Sequence, residues 1–282
     1  MSIDPYLKDI RLSSQQYRRN KNYCWEHYCH FANERSRKSG LQDSLSTNTR
    51  EFEFEKCYRI VSHKYTLDPL SAKGSMRSTP GGRFNIGDID VNKFPIFSAL
   101  YIAETLGTAF KERYGLYQEE KKQGLTPQEL AFSKNDSFFV VKGYISQVLD
   151  LRIPNILMDF FTLIRDIKLP KKLLQIARQL NIDPMFHVST LNELMETILA
   201  PDWRKMPQIY DVPSNSQILG QIAYAAGIEA ILYPSRMSET DYCLAIYPEN
   251  FLNSTSFVDI MGEVAAETKN KRLDAQNYLN FI

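Results

Sequence analysis

Between Tyr58 and Glu112 the chain gathers residue types suited to phosphate and sugar chemistry. Arg59 follows Tyr58, and Arg77 stands ahead of Ser78-Thr79-Pro80. Arg83 follows the paired Gly81-Gly82 and leads into Phe84-Asn85. Tyr101 sits within Ala99-Leu100-Tyr101-Ile102-Ala103, and Glu112 closes Ala109-Phe110-Lys111-Glu112. An arginine fork matches a phosphate bidentately, and glycines let backbone approach an anion closely. A carboxylate nearby suits a sugar carbon that develops positive charge. Together these residues predict a site that breaks a nucleotide's glycosidic bond.

Taken singly, each residue has a plainer reading. Arg83 alone is a loop arginine in a surface ion pair. Tyr101 alone is ordinary packing with its hydroxyl at the rim. Glu112 alone is a surface helix residue, and Ser235 alone is a turn serine after Pro234. Arg59 differs, because an arginine on a buried strand face requires a carboxylate or a ligand anion.

The elements that must position these residues follow from periodicity and turn chemistry. Glu51 to Glu55 alternates Glu and Phe and leads into a strand over Lys56 to Val61. His63 to Gly87 reads as one long loop, of a length usually tied to function. Ile96 to Ala103 reads as a strand. Glu104 or Thr105 caps a helix running to about Tyr114, with Leu106, Ala109 and Phe110 on its inner stripe. Glu112 then lies about 60° from Ala109 at the flank of that stripe.

Further along, Ser137 to Ile145 reads as a strand. Ile156 to Leu180 is mostly helical with a break at Pro170, and Thr190 to Leu199 is another helix. Ser214 to Ala226 is a helix that Gly227 caps. Ile228 to Tyr233 is an apolar strand, Pro234 to Asp241 a turn, and Tyr242 to Tyr247 and Thr255 to Met261 two more strands. Val264 to Leu279 has helical character. At the other end, Gln15 to Arg37 reads as helical and Ser39 to Thr49 as a linker. Strands and helices are scattered rather than alternating, which favours an α+β fold. Neither a dinucleotide-binding glycine motif nor a Walker A motif is present.

Composition excludes several classes. Of 282 residues, 43% are hydrophobic, enough for a sizeable core. Lys and Arg number 34 against 33 Asp and Glu, a formal charge of +1. That balance argues against a nucleic-acid binder or an anionic-membrane binder. No apolar run approaches the roughly 20 residues that span a bilayer. The first residues lack a signal-peptide core, so the expected workplace is a cytosol, its own or that of a target cell. Cys24, Cys29, Cys57 and Cys243 form no disulfide framework. Cys24, His27, Cys29 and His30 cluster without zinc spacing, so no metal is expected.

In order and spacing, Tyr58-Arg59, Gly81-Gly82-Arg83-Phe84-Asn85, Leu100-Tyr101-Ile102-Ala103, Ala109-Phe110-Lys111-Glu112 and Ile231-Leu232-Tyr233-Pro234-Ser235 resemble the RES domain family. The likeness runs over roughly residues 51–251. Residues 1–50 are then an N-terminal extension, about 151–205 a helical insert, and 252–282 a C-terminal extension. The family is named for an arginine, a glutamate and a serine, which fall on Arg59, Glu112 and Ser235. The resemblance implies an ADP-ribosyltransferase-like split β-sheet core with surrounding helices. It also implies a toxin that degrades NAD+ as substrate, without a cofactor.

The implied roles are as follows. Glu112 stabilises the ribose cation, and Arg59 with Arg77 or Arg83 holds the pyrophosphate. Tyr101 stacks on the nicotinamide, and Ser235 orients nicotinamide or ribose. Tyr58 and Asn85 complete the NAD-binding set. Nicotinamide leaves a cationic pyridinium as a neutral ring, so no general acid is required, unlike ordinary glycosides. Water, inorganic phosphate or a protein side chain as acceptor gives hydrolysis, phosphorolysis or ADP-ribosylation, and the sequence leaves all three open. A non-catalytic binding module of the same fold is the alternative from another class. A nuclease fits poorly, because clustered carboxylates for metal ions are lacking. An NAD-destroying enzyme requires a neutralising antitoxin or immunity protein that blocks its pocket. The N-terminal appendage would serve delivery, inhibition or assembly into a homo-oligomer. Ser235 must fold back beside Arg59 and Glu112 across more than a hundred residues.

Overall fold

A computed structural model describes residues 14–114, 136–182, 188–236, 238 and 240–282. The described residues run from helices α1 (Ser14–Ser36) and α2 (Leu41–Ser46) into strand β1 (Arg50–Ser62). A short helix α3 (Lys73–Arg77) and a tight hairpin, β2 (Gly81–Gly82) with β3 (Asn85–Ile86), occupy the expected long loop. Strand β4 (Leu100–Ala103), helix α4 (Leu106–Tyr114) and strand β5 (Asp136–Asp150) follow. Five helices come next: α5 (Met158–Ile164), α6 (Lys171–Leu180), α7 (Leu191–Ile198), α8 (Lys205–Tyr210) and α9 (Asn215–Ala225). Strands β6 (Ala230–Pro234), β7 (Tyr242–Ile246), β8 (Phe257–Met261) and β9 (Arg272–Asp274) complete the chain. No helix among the described residues is long and apolar enough to cross a membrane.

The fold is α+β, as expected, and its sheet closes on itself. In order, β1, β4, β7, β6 and β5 are neighbours, and β5 pairs back onto β1. All contacts in this ring are antiparallel except β5 with β6, where Val148, Leu149 and Asp150 run parallel to Ala230, Ile231 and Leu232. Strands β8 and β9 extend the sheet from β5. A parallel pair needs a long crossover. Helices α5 to α9 all lie within that crossover.

At the central strands β6 and β7 both faces of the sheet are buried. Leu232, Leu244, Ile246, Val141 and Phe251 belong to one apolar cluster. Ile231, Tyr233, Cys243, Ala245 and Leu149 belong to the other, with the helices. A strand covered on both faces reads as a continuous apolar run, which explains Ile228 to Tyr233. Helix α1 joins the second cluster through Tyr23 and Cys24, and Tyr17 Oη donates to Ile209 O at 2.8 Å. The N-terminal helix is therefore packed into the same core as the crossover helices.

Three element expectations change. Ser39 to Thr49, expected as a linker, holds helix α2, with Leu41 and Leu45 buried. Ile96 to Ala99 does not extend β4, because its amides turn elsewhere. Phe97 N donates to Ile86 O, Ser98 N to Glu249 Oε1 and Ala99 N to Ser75 Oγ. The tail expected to be helical contains β9 and a single 3₁₀ turn at Tyr278–Phe281. Leu273 and Phe281 are fully buried there, and Arg272 bonds Asp259 on β8 and Asp274. Burial of alternate residues against the sheet overrides the tail's helical composition.

Candidate active site

A cleft of about 780 Å3 opens where β1, β4, α4 and the β2–β3 hairpin meet the crossover. Its wall takes Tyr58 and Arg59 from β1, Arg83 from the hairpin, Tyr101 from β4 and Glu112 from α4. Arg77, exposed at the end of α3, stands at the rim.

Glu112 and Ser235 are brought together. Ser235 Oγ donates to Glu112 Oε1 at 2.9 Å, and Arg236 N donates to the same oxygen at 3.3 Å. The approach is fixed from the far end of α4. Thr105 caps the helix by accepting from Thr108 N at 3.1 Å. Thr105 Oγ1 and Thr108 Oγ1 both donate to Asp241 Oδ2, and Ser235 N donates to Asp241 O at 2.8 Å. The serine turn and the glutamate helix are thus tied to one aspartate. The Thr108 hydroxyl is the main reason the Asp241 carboxyl sits below the usual range. Met237 and Glu239 of the expected turn lie outside the described residues.

Arg59 lines the same cleft, but its fork is turned largely to the protein. Nε donates to Pro69 O at 2.5 Å, Nη1 to Tyr101 O at 3.0 Å and Nη2 to Ser71 O at 2.7 Å. Three of its five N–H groups therefore hold main chain from β4 and from the loop after β1. Burial, aided by nearby Arg113, pulls its pKa down to about 10, so it stays cationic at neutral pH.

The Gly-Gly-Arg-Phe-Asn hairpin is built around Tyr101. Phe84 N donates to Tyr101 Oη at 3.0 Å, and that hydroxyl donates to Asn85 Oδ1 at 2.9 Å. A Cβ on Gly82 would lie 2.3 Å from Tyr101 Oη, so the glycine is required by close packing on this ring. Burial raises the Tyr101 phenol well above its usual range, leaving it a neutral hydrogen-bonding group.

Asn85 corrects an expectation. It is fully buried beneath the hairpin and does not line the cleft. Its amide donates to Ser75 O and Phe97 O, and its carbonyl accepts from Gly82 N and Tyr101 Oη. With its side chain spent on these four bonds, Asn85 supports the site rather than touching a ligand.

Several further residues belong to the site. Gln217 on α9 donates through Nε2 to Pro80 O, Gly82 O and Asn85 O at 2.9 to 3.1 Å. Gly220, one turn on, lets Phe84 approach, since a Cβ there would sit 2.1 Å from Phe84 O. The Ser214 to Gln217 capping box was the one local signal for Gln217, and it marks a helix start rather than a site. Trp203 and Arg204 enter the cleft wall from the crossover. Cys243 lies in the wall beside Ser235, and burial pushes its thiol far up, so it is no nucleophile.

Among the described residues five arginines line this cleft: Arg59, Arg77, Arg83, Arg113 and Arg204. Arg113 bonds Asp136, but the wall remains strongly cationic around Glu112. The +1 formal charge of the whole chain conceals this concentration. Such a wall suits a polyanionic ligand. Cys24, His27, Cys29 and His30 all lie on α1, away from this cleft. Among the described residues no group of three or more His, Cys, Asp or Glu is arranged to hold a metal ion.

A search of curated proteins returns no match. Among solved structures, the chain is similar to one in the crystal structure of the M. tuberculosis MbcT–MbcA toxin–antitoxin complex. Identity is 17% and the TM-score 0.45, over 86% of this chain and 97% of that one. The model of the RES domain matches residues 56–259, a span that holds Arg59, Glu112 and Ser235 together with the β5–β6 crossover. The chain belongs to the RES domain family.

Proposed function

We propose that the protein is a toxin that destroys NAD+ by cleaving its nicotinamide–ribose bond, on an ADP-ribosyltransferase-like core. The observation that carries this reading is the Glu112 carboxylate, fixed by Ser235 Oγ in a cleft walled by arginines. A polyanionic dinucleotide supplies the negative charge that such a wall lacks. The bond between C1′ and the nicotinamide nitrogen breaks with its electron pair going to the ring, which leaves neutral. The ribose carbon becomes cationic, and a carboxylate already oriented before reaction stabilises that charge without reorganising. Ser235 acts here by holding Glu112 through its hydroxyl bond to Oε1. The Tyr101 ring, locked in place through Asn85 and Phe84 N, offers a face for the nicotinamide. Arg83 and Arg77 are the candidate pyrophosphate groups. Arg59 contributes charge while anchoring the loop beneath them.

The acceptor is water or inorganic phosphate. Attack by water releases ADP-ribose, and attack by phosphate releases ADP-ribose 1″-phosphate. An enzyme of this kind acts in a cytosol and requires a partner, an antitoxin or an immunity protein, that occludes the cleft. The deciding experiment incubates purified protein with NAD+, with and without phosphate, and separates the products. Nicotinamide release that Glu112→Ala abolishes supports the reading. Full activity in that variant, or no loss of NAD+ with the parent protein, rejects it.

A further inference from the structure

The crossover reaches the cleft through the residues that join α7 to α8. Trp203 there is 5% exposed, and two cations share its indole. The guanidinium carbon of Arg83 lies 5.8 Å from the ring centroid and that of Arg204 4.5 Å. Arg83 Nη1 also donates to Ala200 O at 3.0 Å, in the same segment. Both arginines line the cleft, and their charges repel. Among the described residues neither has a carboxylate at ion-pair distance. Glu112 acts on Arg83 from further off, with one oxygen already engaged by Ser235 and Arg236 N. Arg83 is itself 6% exposed. Two like charges that line one recess cost stability unless an anion joins them. The indole face offsets only part of that cost.

We propose that Arg83 and Arg204, held on Trp203, form a subsite for the phosphates of the nucleotide substrate. Arg204 is then a substrate-binding residue supplied by the crossover, and Trp203 a positioning residue. This inference rests on the reading of the cleft as a nucleotide site, and it gives the α7–α8 junction a role in binding. Two guanidinium groups lining one cleft supply donors for the oxygens of a diphosphate. They therefore distinguish ADP from adenosine.

The test titrates ADP and adenosine into the full-length chain by calorimetry. Arg204→Ala is expected to weaken ADP binding about tenfold or more, the loss of a charge-assisted contact, with adenosine binding unchanged. In turnover it raises KM for NAD+ more than it lowers kcat. Trp203→Phe keeps an aromatic face and stays near the parent. Trp203→Leu fills the space without that face and follows Arg204→Ala. ADP binding that is equal in the parent and Arg204→Ala overturns the subsite, whether or not the tryptophan variants fold. ADP binding that depends on Arg204 in a protein that leaves NAD+ intact would sink the proposed reaction and leave the subsite standing. Turnover that depends on Glu112 but is indifferent to Arg204 does the reverse.

Discussion

Ser235 Oγ donates to Glu112 Oε1 across 123 residues of chain. The two side chains form one unit, and their substitutions should not add. Glu112→Ala is expected to lower kcat for NAD+ cleavage by about 10² to 10³, the range for losing one preorganised electrostatic group. Ser235→Ala alone should cost about tenfold, since it loosens the carboxylate rather than removing it. In the Glu112→Ala background the serine change should cost almost nothing. Additive losses would mean that Ser235 acts on the substrate independently of Glu112.

Arg59 anchors three carbonyls, so its removal should register first as lost stability. Arg59→Ala strands Pro69 O, Tyr101 O and Ser71 O. Burying acceptors without donors costs about 1–3 kcal/mol each before relaxation or water entry. A fall in Tm of several degrees is expected. Arg59→Lys keeps the charge but cannot serve three acceptors in a plane, and should recover little. Unchanged thermal stability in both variants, with NAD+ binding lost, would assign Arg59 to the ligand alone.

The hairpin that carries Arg83 hangs on Gln217. Gln217→Leu removes the donor shared by Pro80 O, Gly82 O and Asn85 O while keeping most of the volume. It should destabilise the protein by about 1–3 kcal/mol and raise KM for NAD+, because Arg83 loses its fixed place. Gly220→Ala should be worse, since its Cβ would meet the Phe84 main chain. Denaturant titration and steady-state kinetics check both.

How much of this was legible beforehand depends on whether a residue's partner is local. Helix α4 showed itself through Thr105 and its apolar stripe, and Glu112 on its flank does face the cleft. The α9 cap and Gly227 were equally plain, with Gly227 at φ 77°. The Gly81 to Asn85 motif marked the site, but residue type could not tell a ligand contact from a supporting one. Asn85, a ligand contact by residue type, is buried and holds the hairpin instead. The glycine pair suggested room for an anion, yet Gly82 is needed for its packing on Tyr101. Gln217, Trp203 and Arg204 left no usable signal. Their roles arise only when the crossover folds β6 parallel to β5, a pairing fixed by tertiary burial and not by any local pattern.

Acid should loosen the turn that presents Ser235. Thr108, then Thr105, hold the Asp241 carboxyl below its ordinary value of 3.8. A folded-state pKa lower than the unfolded one means the bonded carboxylate adds stability above the unfolded value. That stability is lost as pH falls through the folded value. Thr108→Val removes the largest cause. The parent should exceed this variant in Tm by a constant amount from pH 5 to 7, and the gap should shrink as pH drops below about 4. A gap independent of pH down to acid unfolding would show that the threonine acts by packing and not through Asp241.

Tyr101 separates ring from hydroxyl. The hydroxyl accepts from Phe84 N and donates to Asn85 Oδ1, while the ring lies against Gly82 and borders the cleft. Tyr101→Phe leaves the ring but orphans the Phe84 amide and takes one of two donors from Asn85 Oδ1, at a cost of about 1–3 kcal/mol. Its KM for NAD+ should stay within a few-fold of the parent once the protein is folded. Tyr101→Leu removes the π face as well, and should raise KM and lower kcat together if nicotinamide stacks there. Because the phenol is held neutral, Tyr101 should add no ionisation step to the parent's activity between pH 8 and 10. Such a step that vanishes in Tyr101→Phe would mean the hydroxyl titrates in the working enzyme, and that its bonds to Asn85 and Phe84 N open when substrate binds.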